Sequence, residues 1–370
     1  MRAEGKSDPQ SSAEQPDRIG SKLLAALVAA CLLAAFFLGY RTVRYESFHK
    51  FNKKTQPSEA VAPRPGGQAA VSLVRAPTRN GVSPEFLSTT IMPGLGMQIL
   101  QITAAFPSRG EIDLLNSSSL EEVAEDAKSH GRIGAAFLVY LADSGHPSPS
   151  AADALTLQAA DSSENHGTLD GANMTTVFNA PAQSLPGGLP AGIELRTSIV
   201  MSGRSIDMSI TANNKGKQAV PLRLGCFPHL AIPSGQRDQA RLLIPSTDKS
   251  SGAAAEDFSM PGGRPLKSST LDATFTHLRR AFMGDGPEIE LEDPASGYAL
   301  RITAISSSIR SLRVLAPANG PWVVIAPIAE PEADLAEGER DRGDIPLLAP
   351  GESLQFRIRL QIVPLATSIK

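Results

Sequence analysis

The sequence predicts an all-β protein, a large antiparallel β-sandwich preceded by one N-terminal transmembrane helix. Short segments of alternating apolar and polar residues, separated by Gly, Pro, Asn and Asp, fill residues 85–364. Only Leu120–Ser129 in this region has the spacing of an amphipathic helix. Many short strands with one short helix are typical of antiparallel sandwiches. An uncharged segment upstream, Leu23–Tyr40, supplies the membrane prediction.

Four patterns carry the strand prediction. Ser205–Ala212 and Gln355–Ile362 alternate apolar and polar residues, which is typical of strands with one buried face. Glu288–Glu292 and Ala299–Thr303 flank the turn-forming sequence Asp-Pro-Ala-Ser-Gly and therefore predict a hairpin. Trp322–Ile325 is continuously apolar, as expected of a strand buried on both faces.

The helix prediction rests on a cap and an apolar stripe. Ser118 or Ser119 can cap the first turn, and Glu121 or Glu122, three residues later, can complete a capping box. Leucine, valine and alanine then recur at helical spacing in Leu120–Ser129. One face of this short helix is therefore expected to pack on the sandwich.

The N-terminal region is predicted to comprise a disordered tail, a membrane span and a tether. Residues 1–22 are polar with mixed charges, which is typical of disorder. Leu23–Tyr40 carries no charge over 18 residues. As a helix it would be about 27 Å long, close to the thickness of the hydrocarbon core. Residues 41–84 are rich in Pro and Gly, which favours a semi-stiff tether.

Two properties of the span stay open at the level of sequence. A cleaved signal peptide is the alternative to a retained anchor, but the charged tail is long and no A-x-A site precedes a polar mature start. The basic residues on the two sides of the span do not decide its orientation by the positive-inside rule. A single anchor before a large C-terminal domain favours a single-pass membrane protein with that domain outside the cytoplasm.

Composition excludes nucleic acid as an expected partner. The formal net charge is -3 and charged residues make up 20% of the chain, so no strongly basic surface is predicted. Cys31 lies in the apolar segment and Cys226 in a predicted strand, so the two cysteines are not expected to form a disulfide.

Several motifs in one consistent order resemble the aldose 1-epimerase (galactose mutarotase-like) family. They are Asn165–Gly167, Asp207–Leu230, Leu271–Phe275, Trp322–Pro327 and Leu348–Leu354. The resemblance covers about three-quarters of the chain and implies the β-supersandwich fold of that family. It also implies a carbohydrate ligand, which an active member interconverts between anomers without a cofactor or a metal ion.

Both catalytic positions of the family are altered in this chain. Mutarotation needs an acid to protonate the ring oxygen and a base to take the proton of the anomeric hydroxyl. In the family the acid is a histidine in a G-x-H-P-Y-F-like segment and the base is a glutamate in an apolar strand. Gly225–Leu230 places Phe227 at the histidine, and Trp322–Pro327 places Ala326 at the glutamate.

Two nearby residues are candidate replacements for the missing acid and base. His229 lies two residues beyond Phe227 on the same face of the strand, roughly 7 Å away. It could act as the acid, or it could be a strand-end histidine bonded to the backbone. Glu330 follows the second strand and could act as the base, or it could be a solvated loop carboxylate.

The resemblance also implies three residues that contact the sugar. They are His166 in the His-Gly element, Asp272 in the L-D-A-T-F segment and Phe227 at the altered acid position. A surface-loop histidine and a turn-forming aspartate are the alternatives for the first two.

Three functional hypotheses follow from the sequence. The chain is a membrane-anchored aldose 1-epimerase that uses His229 and Glu330, a catalytically inactive tethered sugar-binding module, or a structural β-sandwich.

Overall fold

The computed structural model describes residues 32–33, 63–78, 82–107, 109–125, 134–140, 159–168, 170–180, 189–246, 258–259, 262–266, 270–281, 284–331 and 347–365. The chain divides into two units, Met1–Ser58 and Glu59–Lys370. In the first unit only Leu32 and Leu33 are described, and both are helical and exposed. The predicted tail and the rest of the predicted span lie outside the described residues. Within the described part of the chain, no helix has the length and apolar character needed to cross a membrane.

Two antiparallel sheets of nine strands each form the second unit. Across the first sheet the strands are, in order, β1 (Val71–Val74), β2 (Glu85–Met92), β3 (Gln98–Phe106), β5 (Ala135–Tyr140), β11 (Arg223–Ala231), β18 (Trp322–Ala329), β17 (Ile309–Ala316) and β14 (Leu271–Phe275), and β4 (Gly110–Asp113) pairs with β3. A separate two-stranded ribbon joins β10 (Val220–Pro221) and β19 (Leu347–Leu348).

The second sheet contains the hairpin and both alternating segments predicted from the sequence. Its strands are, in order, β13 (Arg264–Pro265), β12 (Arg241–Leu243), β15 (Glu288–Asp293), β16 (Tyr298–Ala304), β20 (Ser353–Pro364), β9 (Ser205–Asn214), β8 (Ile193–Ser202), β7 (Gly171–Asn179) and β6 (Ser162–Gly167). Short 3-10 turns occur at Pro65–Gly67, Pro93–Leu95 and Arg237–Gln239.

One apolar core is formed by inward-facing residues of both sheets. On β9, Ile206, Met208 and Ile210 are buried, and Phe356 and Ile358 of the neighbouring β20 belong to the same core. Burying each such side chain contributes roughly 1.5–3 kcal/mol. The alternation in the sequence is therefore the origin of the two-layer arrangement, and the predicted antiparallel sandwich is confirmed.

The predicted helix begins where its cap indicates. Helix α1 (Leu120–Glu125) starts after Ser119, whose backbone N–H donates to Glu122 Oε2 at 3.0 Å. The N–H of Glu122 donates in turn to Ser119 Oγ at 3.2 Å, which completes the capping box. Val123 packs this helix against the first sheet. Residues 126–133, which include the rest of the predicted helix, lie outside the described part.

The first sheet begins earlier than residue 85, within the segment predicted to be tether. Val71–Val74 pairs with β2 as an edge strand, and Leu73 is buried in the core. The preceding turn packs closely on the 3-10 turn Pro93–Leu95 between β2 and β3, since a Cβ built on Gly66, whose φ is +66°, would lie 1.9 Å from Gly94 O. The tether prediction is therefore wrong for this part of residues 41–84. Its Pro and Gly content marks tight turns, and a few alternating apolar residues suffice for an edge strand.

The outer face of the second sheet is polar and carries a network of ion pairs. Asp207 on β9 accepts hydrogen bonds from Arg359 Nε at 2.7 Å and from Arg357 Nη2 at 2.6 Å, both on β20. Arg359 also donates to Asp285 at 3.0 Å. Burial raises the pKa of Asp207, but the hydrogen bonds from the two arginines outweigh it and hold this pKa below its ordinary value.

Replacing Asp207 by asparagine is expected to lower the free energy of unfolding by about 1 kcal/mol at pH 7, because the arginines are partly solvated. The pKa of Asp207 in the folded protein lies below the unfolded value of about 3.9. The stabilisation by its ionised carboxylate is therefore fully present above that value and is lost as pH falls through the folded-state pKa. Urea unfolding of both proteins at pH 7 and pH 3 measures this. A difference of equal size at the two pH values would contradict it.

Candidate functional site

Side chains of β11 alternate between the shared core and the opposite, outer face of the first sheet. Leu224, Cys226 and Leu230 belong to the core. Burial raises the pKa of the Cys226 thiol to about 12, so this cysteine is an inert apolar residue. Phe227 and His229 lie on the outer face. The altered acid position, Phe227, is therefore on the face that points away from the core.

Phe227 and Ala326 are cross-strand neighbours on this outer face. The antiparallel register of β11 against β18 pairs His229 with Val324 and so places Phe227 directly opposite Ala326. They are 7% and 1% exposed and belong to one apolar cluster. The other buried members of the cluster are Leu138, Val324 and Ile328. Two side chains that cannot transfer protons thus pack together where the resemblance expects the acid and the base.

His229 and Glu330 are far apart on the same face. His229 is opposite Val324, and Glu330 lies six residues further along the line of β18. At about 3.3 Å per residue this separates the two positions by roughly 20 Å. An acid and a base of one reaction must both reach a single substrate within hydrogen-bonding distance. The placement of these residues does not support the prediction that they form one catalytic pair.

Glu330 forms an ion pair with Arg223, the first residue of β11. The distance between Arg223 Nε and Glu330 Oε1 is 2.9 Å, and the two side chains are 17% and 22% exposed. The Nε–H is not aligned for a hydrogen bond to the carboxylate. The backbone N–H of Glu330 donates to Ser308 O at 3.0 Å. Glu330 is therefore neither a solvated loop residue nor a base with an unpaired carboxylate.

The imidazole of His229 lies among aromatic rings. Its ring contacts those of Phe227 and Trp322 edge to face, with centroid distances of 5.3 Å and 5.1 Å. The backbone of His229 accepts a hydrogen bond from Asn116 N–H at 2.8 Å and donates to Gly134 O at 2.7 Å. His229 and Trp322 are both partly exposed, so this aromatic edge of the outer face is accessible to a ligand.

Beside this edge, the chain at the start of β5 carries small residues on the outer face, between two rows of larger ones, whereas Leu138 further along β5 belongs to the apolar cluster. The registers of β3, β5 and β11 place Gly134 and Ala136 between β3 residues on one side and β11 residues on the other. A Cβ built on Gly134 would lie 2.4 Å from Leu100 O and 2.8 Å from Leu115 Cδ1. The two flanking strands are about 10 Å apart, twice the spacing of neighbouring strands. We name this strip of small residues, together with the residues on its two sides, the β5 trough, and its members are Gln98, Leu100, Gly134, Ala136, Phe227 and His229.

Buried polar atoms without hydrogen-bond partners concentrate on the outer face of the first sheet. In the described part of the chain five such side-chain atoms occur, and four are Gln98 Nε2, Gln98 Oε1, Asn116 Nδ2 and Arg223 Nε. The fifth is Asn173 Oδ1 on the second sheet. Each unsatisfied group costs about 1–3 kcal/mol. Arg223 lies with Glu330 at the other end of β11, so only the amides of Gln98 and Asn116 lie near His229, where a ligand or ordered water could complete their hydrogen bonding.

The structure separates the remaining predicted sugar contacts. His166 lies on β6 at the edge of the second sheet, 65% exposed, with Nε2 3.6 Å from Glu164 Oε2. Asp272 lies on the first sheet but on its edge strand β14, where its carboxylate is 52% exposed and pairs with Arg313 at 3.3 Å. Phe227 and His229 share the outer face with Asp272, three strands away, whereas His166 is on the other sheet.

Sequence reasoning did not identify Gln98, Asn116 or Trp322 as site residues. Gln98 interrupts an apolar run, and Trp322 is the single tryptophan of the chain, so each had a weak signal. Asn116 had none, because its place beside His229 depends on a long-range bridge between Leu115 and Leu230.

Comparisons with known proteins identify the fold. No protein-family model and no curated protein matches the chain. Among solved structures, the chain is similar to a galactose mutarotase-like protein from Clostridium acetobutylicum (13% identity, TM-score 0.58, covering 76% of this chain and 93% of that one). It is also similar to a protein from Synechocystis (18%, 0.59, 82% and 99%) and to an aldose epimerase homologue from C. elegans (15%, 0.55, 80% and 100%).

At these identities the likeness shows the fold. The unit Glu59–Lys370 has the galactose mutarotase-like β-supersandwich, and the fold named in the sequence analysis is confirmed.

Proposed function

We propose that the chain is a carbohydrate-binding protein of the aldose 1-epimerase-like type that does not catalyse mutarotation. The packing of Phe227 against Ala326 carries this proposal, because both positions at which the resemblance expects proton transfer are apolar and buried. The roughly 20 Å between His229 and Glu330 leaves no replacement pair for one sugar.

The β5 trough and the aromatic edge next to it support carbohydrate as the ligand. Sugars combine apolar C–H faces, which pack on aromatic rings, with hydroxyl groups that both donate and accept hydrogen bonds. Trp322 and His229 provide partly exposed rings, and the buried amides of Gln98 and Asn116, which have atoms without protein partners, lie on the same face.

A membrane anchor at Leu23–Tyr40 remains part of the proposal. The support is the uncharged length of this segment, which as a helix would span about 27 Å. In this arrangement a single-pass anchor holds the sugar-binding unit outside the cytoplasm.

Calorimetric titration of the full-length chain with D-glucose, D-galactose, cellobiose and lactose tests the proposed binding. Saturable binding of at least one of these sugars is expected, with competition among those that bind. Absence of heat for all four at millimolar concentration, with the protein folded by circular dichroism, would contradict carbohydrate binding at this site.

A further inference from the structure

The position of Trp322 on the aromatic edge depends on the turn that precedes it. This turn, residues 317–321, joins β17 to β18, and Trp322 is the first residue of β18. The N–H of Gly320 donates to Pro317 O at 3.1 Å, which closes the turn. A Cβ built on Gly320 would lie 3.3 Å from Trp322 Nε1, so the indole packs directly against the turn. Where the turn is held therefore decides where the indole lies.

Arg237 reaches this turn from a neighbouring loop and is hydrogen-bonded to both of its ends. Its Nη1 donates to Gly320 O at 3.3 Å, and its Nη2 donates to Ala316 O at 3.4 Å. Arg237 is only 8% exposed. Burial lowers its pKa, and the charge of Asp238 only partly offsets this. A guanidinium remains protonated at neutral pH even so, and its hydrogen bonds to carbonyl oxygens are strengthened by the charge.

The loop that carries Arg237 is itself fixed to the sandwich. In this loop, residues 232–240, the N–H and Oγ of Ser234 each donate to the carboxylate of Asp293 at 2.7 Å. Asp293 is 0% exposed. The N–H of Ile232 also donates to Pro321 O at 3.0 Å. The loop therefore gives Arg237 a firm base from which its side chain can hold the turn.

We propose that Arg237 is a positioning residue for sugar binding, because its two hydrogen bonds keep the 317–321 turn where Trp322 can pack on a sugar. Since Arg237 is almost fully buried, it acts through the indole and not by touching the ligand. Burying a guanidinium is unfavourable unless its donors are hydrogen-bonded, and here they bond to the backbone that leads into Trp322. This inference rests on the proposed carbohydrate binding and adds the residue that orients one of its rings.

The test combines tryptophan fluorescence with calorimetric titration of D-glucose, D-galactose, cellobiose and lactose in the full-length chain. Trp322 is the single tryptophan, so the emission reports this indole alone. Arg237→Met should shift the emission to longer wavelength, because a loosened turn admits water to the indole. The same variant should bind the tightest of the four sugars about threefold or more weakly. Arg237→Lys should lie between, because one ammonium group replaces the two nitrogens that hold the turn.

Arg109→Met is the matched control for Arg237→Met. Arg109 also donates to two backbone carbonyls, Pro233 O at 3.4 Å and Ala295 O at 3.0 Å, but neither belongs to the 317–321 turn. The substitution therefore removes the same kind of contact without releasing Trp322. Its emission and its sugar affinity should equal those of the wild type.

The outcomes separate this inference from the proposed function. If none of the four sugars binds the wild type, carbohydrate binding fails and the inference fails with it. If sugars bind but Arg237→Met keeps either the affinity or the emission of the wild type, only the inference is overturned. Equal losses of affinity for Arg237→Met and Arg109→Met would also overturn it, since general loosening of the loops would then be the cause. If Arg237→Met does not fold, Arg237→Lys decides in its place, and wild-type affinity and emission for that variant overturn the inference.

Discussion

Replacing Glu330 by glutamine is expected to lower the free energy of unfolding by about 2 kcal/mol while leaving sugar affinity unchanged. The carboxylate is the ion-pair partner of Arg223, and both side chains are mostly buried. Removing one member of such a pair leaves a poorly solvated charge behind, which costs several kcal/mol when burial is complete and less here because some solvent access remains. Urea unfolding gives the stability, and calorimetric titration gives the affinity.

The matched control for this substitution is Glu164→Gln. Glu164 is 78% exposed beside His166, so its change should stay within about 0.5 kcal/mol. If Glu330→Gln were as stable as Glu164→Gln, the ion pair with Arg223 would not contribute to folding. If it instead abolished an anomer-exchange activity of the wild type, Glu330 would be a catalytic base after all.

Replacing His229 by alanine is expected to weaken sugar binding at least tenfold. The imidazole forms one wall of the β5 trough and holds Trp322 and Phe227 edge to face, so its loss removes a direct contact and loosens the aromatic edge. A tenfold loss of affinity corresponds to about 1.4 kcal/mol of binding free energy. This is a modest contribution for one central contact of a binding site. Calorimetric titration with the tightest of the sugars tested measures it.

His166→Ala provides the comparison, because it makes the same chemical change on the other sheet. The imidazole of His166 is 65% exposed and lies 3.6 Å from the carboxylate of Glu164, so the sugar affinity of His166→Ala should equal that of the wild type. Equal losses for the two variants would place the sugar elsewhere than in the β5 trough. Loss for His166→Ala alone would restore the sequence-based assignment of this residue as a sugar contact.

The fold could be predicted because its determinants are local. Alternation in Ser205–Ala212 and Gln355–Ile362 fixes which side chains enter the core, and the turn between Glu288–Glu292 and Ala299–Thr303 fixes a hairpin. The sequence-based prediction that the sandwich starts at residue 85 missed the strand Val71–Val74, because composition does not reveal which segments pair in the folded chain. The chain around Val71–Val74 looks like a tether, yet the free edge of β2 gives it a partner.

The site was predictable only in part, because it depends on register. That Phe227 and Ala326 hold equivalent positions was visible from the motifs, and their direct opposition on β11 and β18 agrees with it. The distance between His229 and Glu330 was not visible, since it is set by how two strands far apart in sequence align. The unsatisfied amide of Gln98 was also hidden, because satisfaction depends on every neighbour in the folded chain.

Anomer exchange measured by NMR in the presence of the full-length chain tests the central claim most directly. With 13C1-labelled D-glucose and D-galactose, exchange spectroscopy reports transfer between the α and β signals, while line broadening of the same signals reports binding. A protein that binds sugar over an apolar Phe227–Ala326 pair should broaden the lines of a bound sugar and leave the exchange rate at its protein-free value. Exchange that accelerates in proportion to protein concentration would contradict the account and show that the outer face of the first sheet catalyses mutarotation.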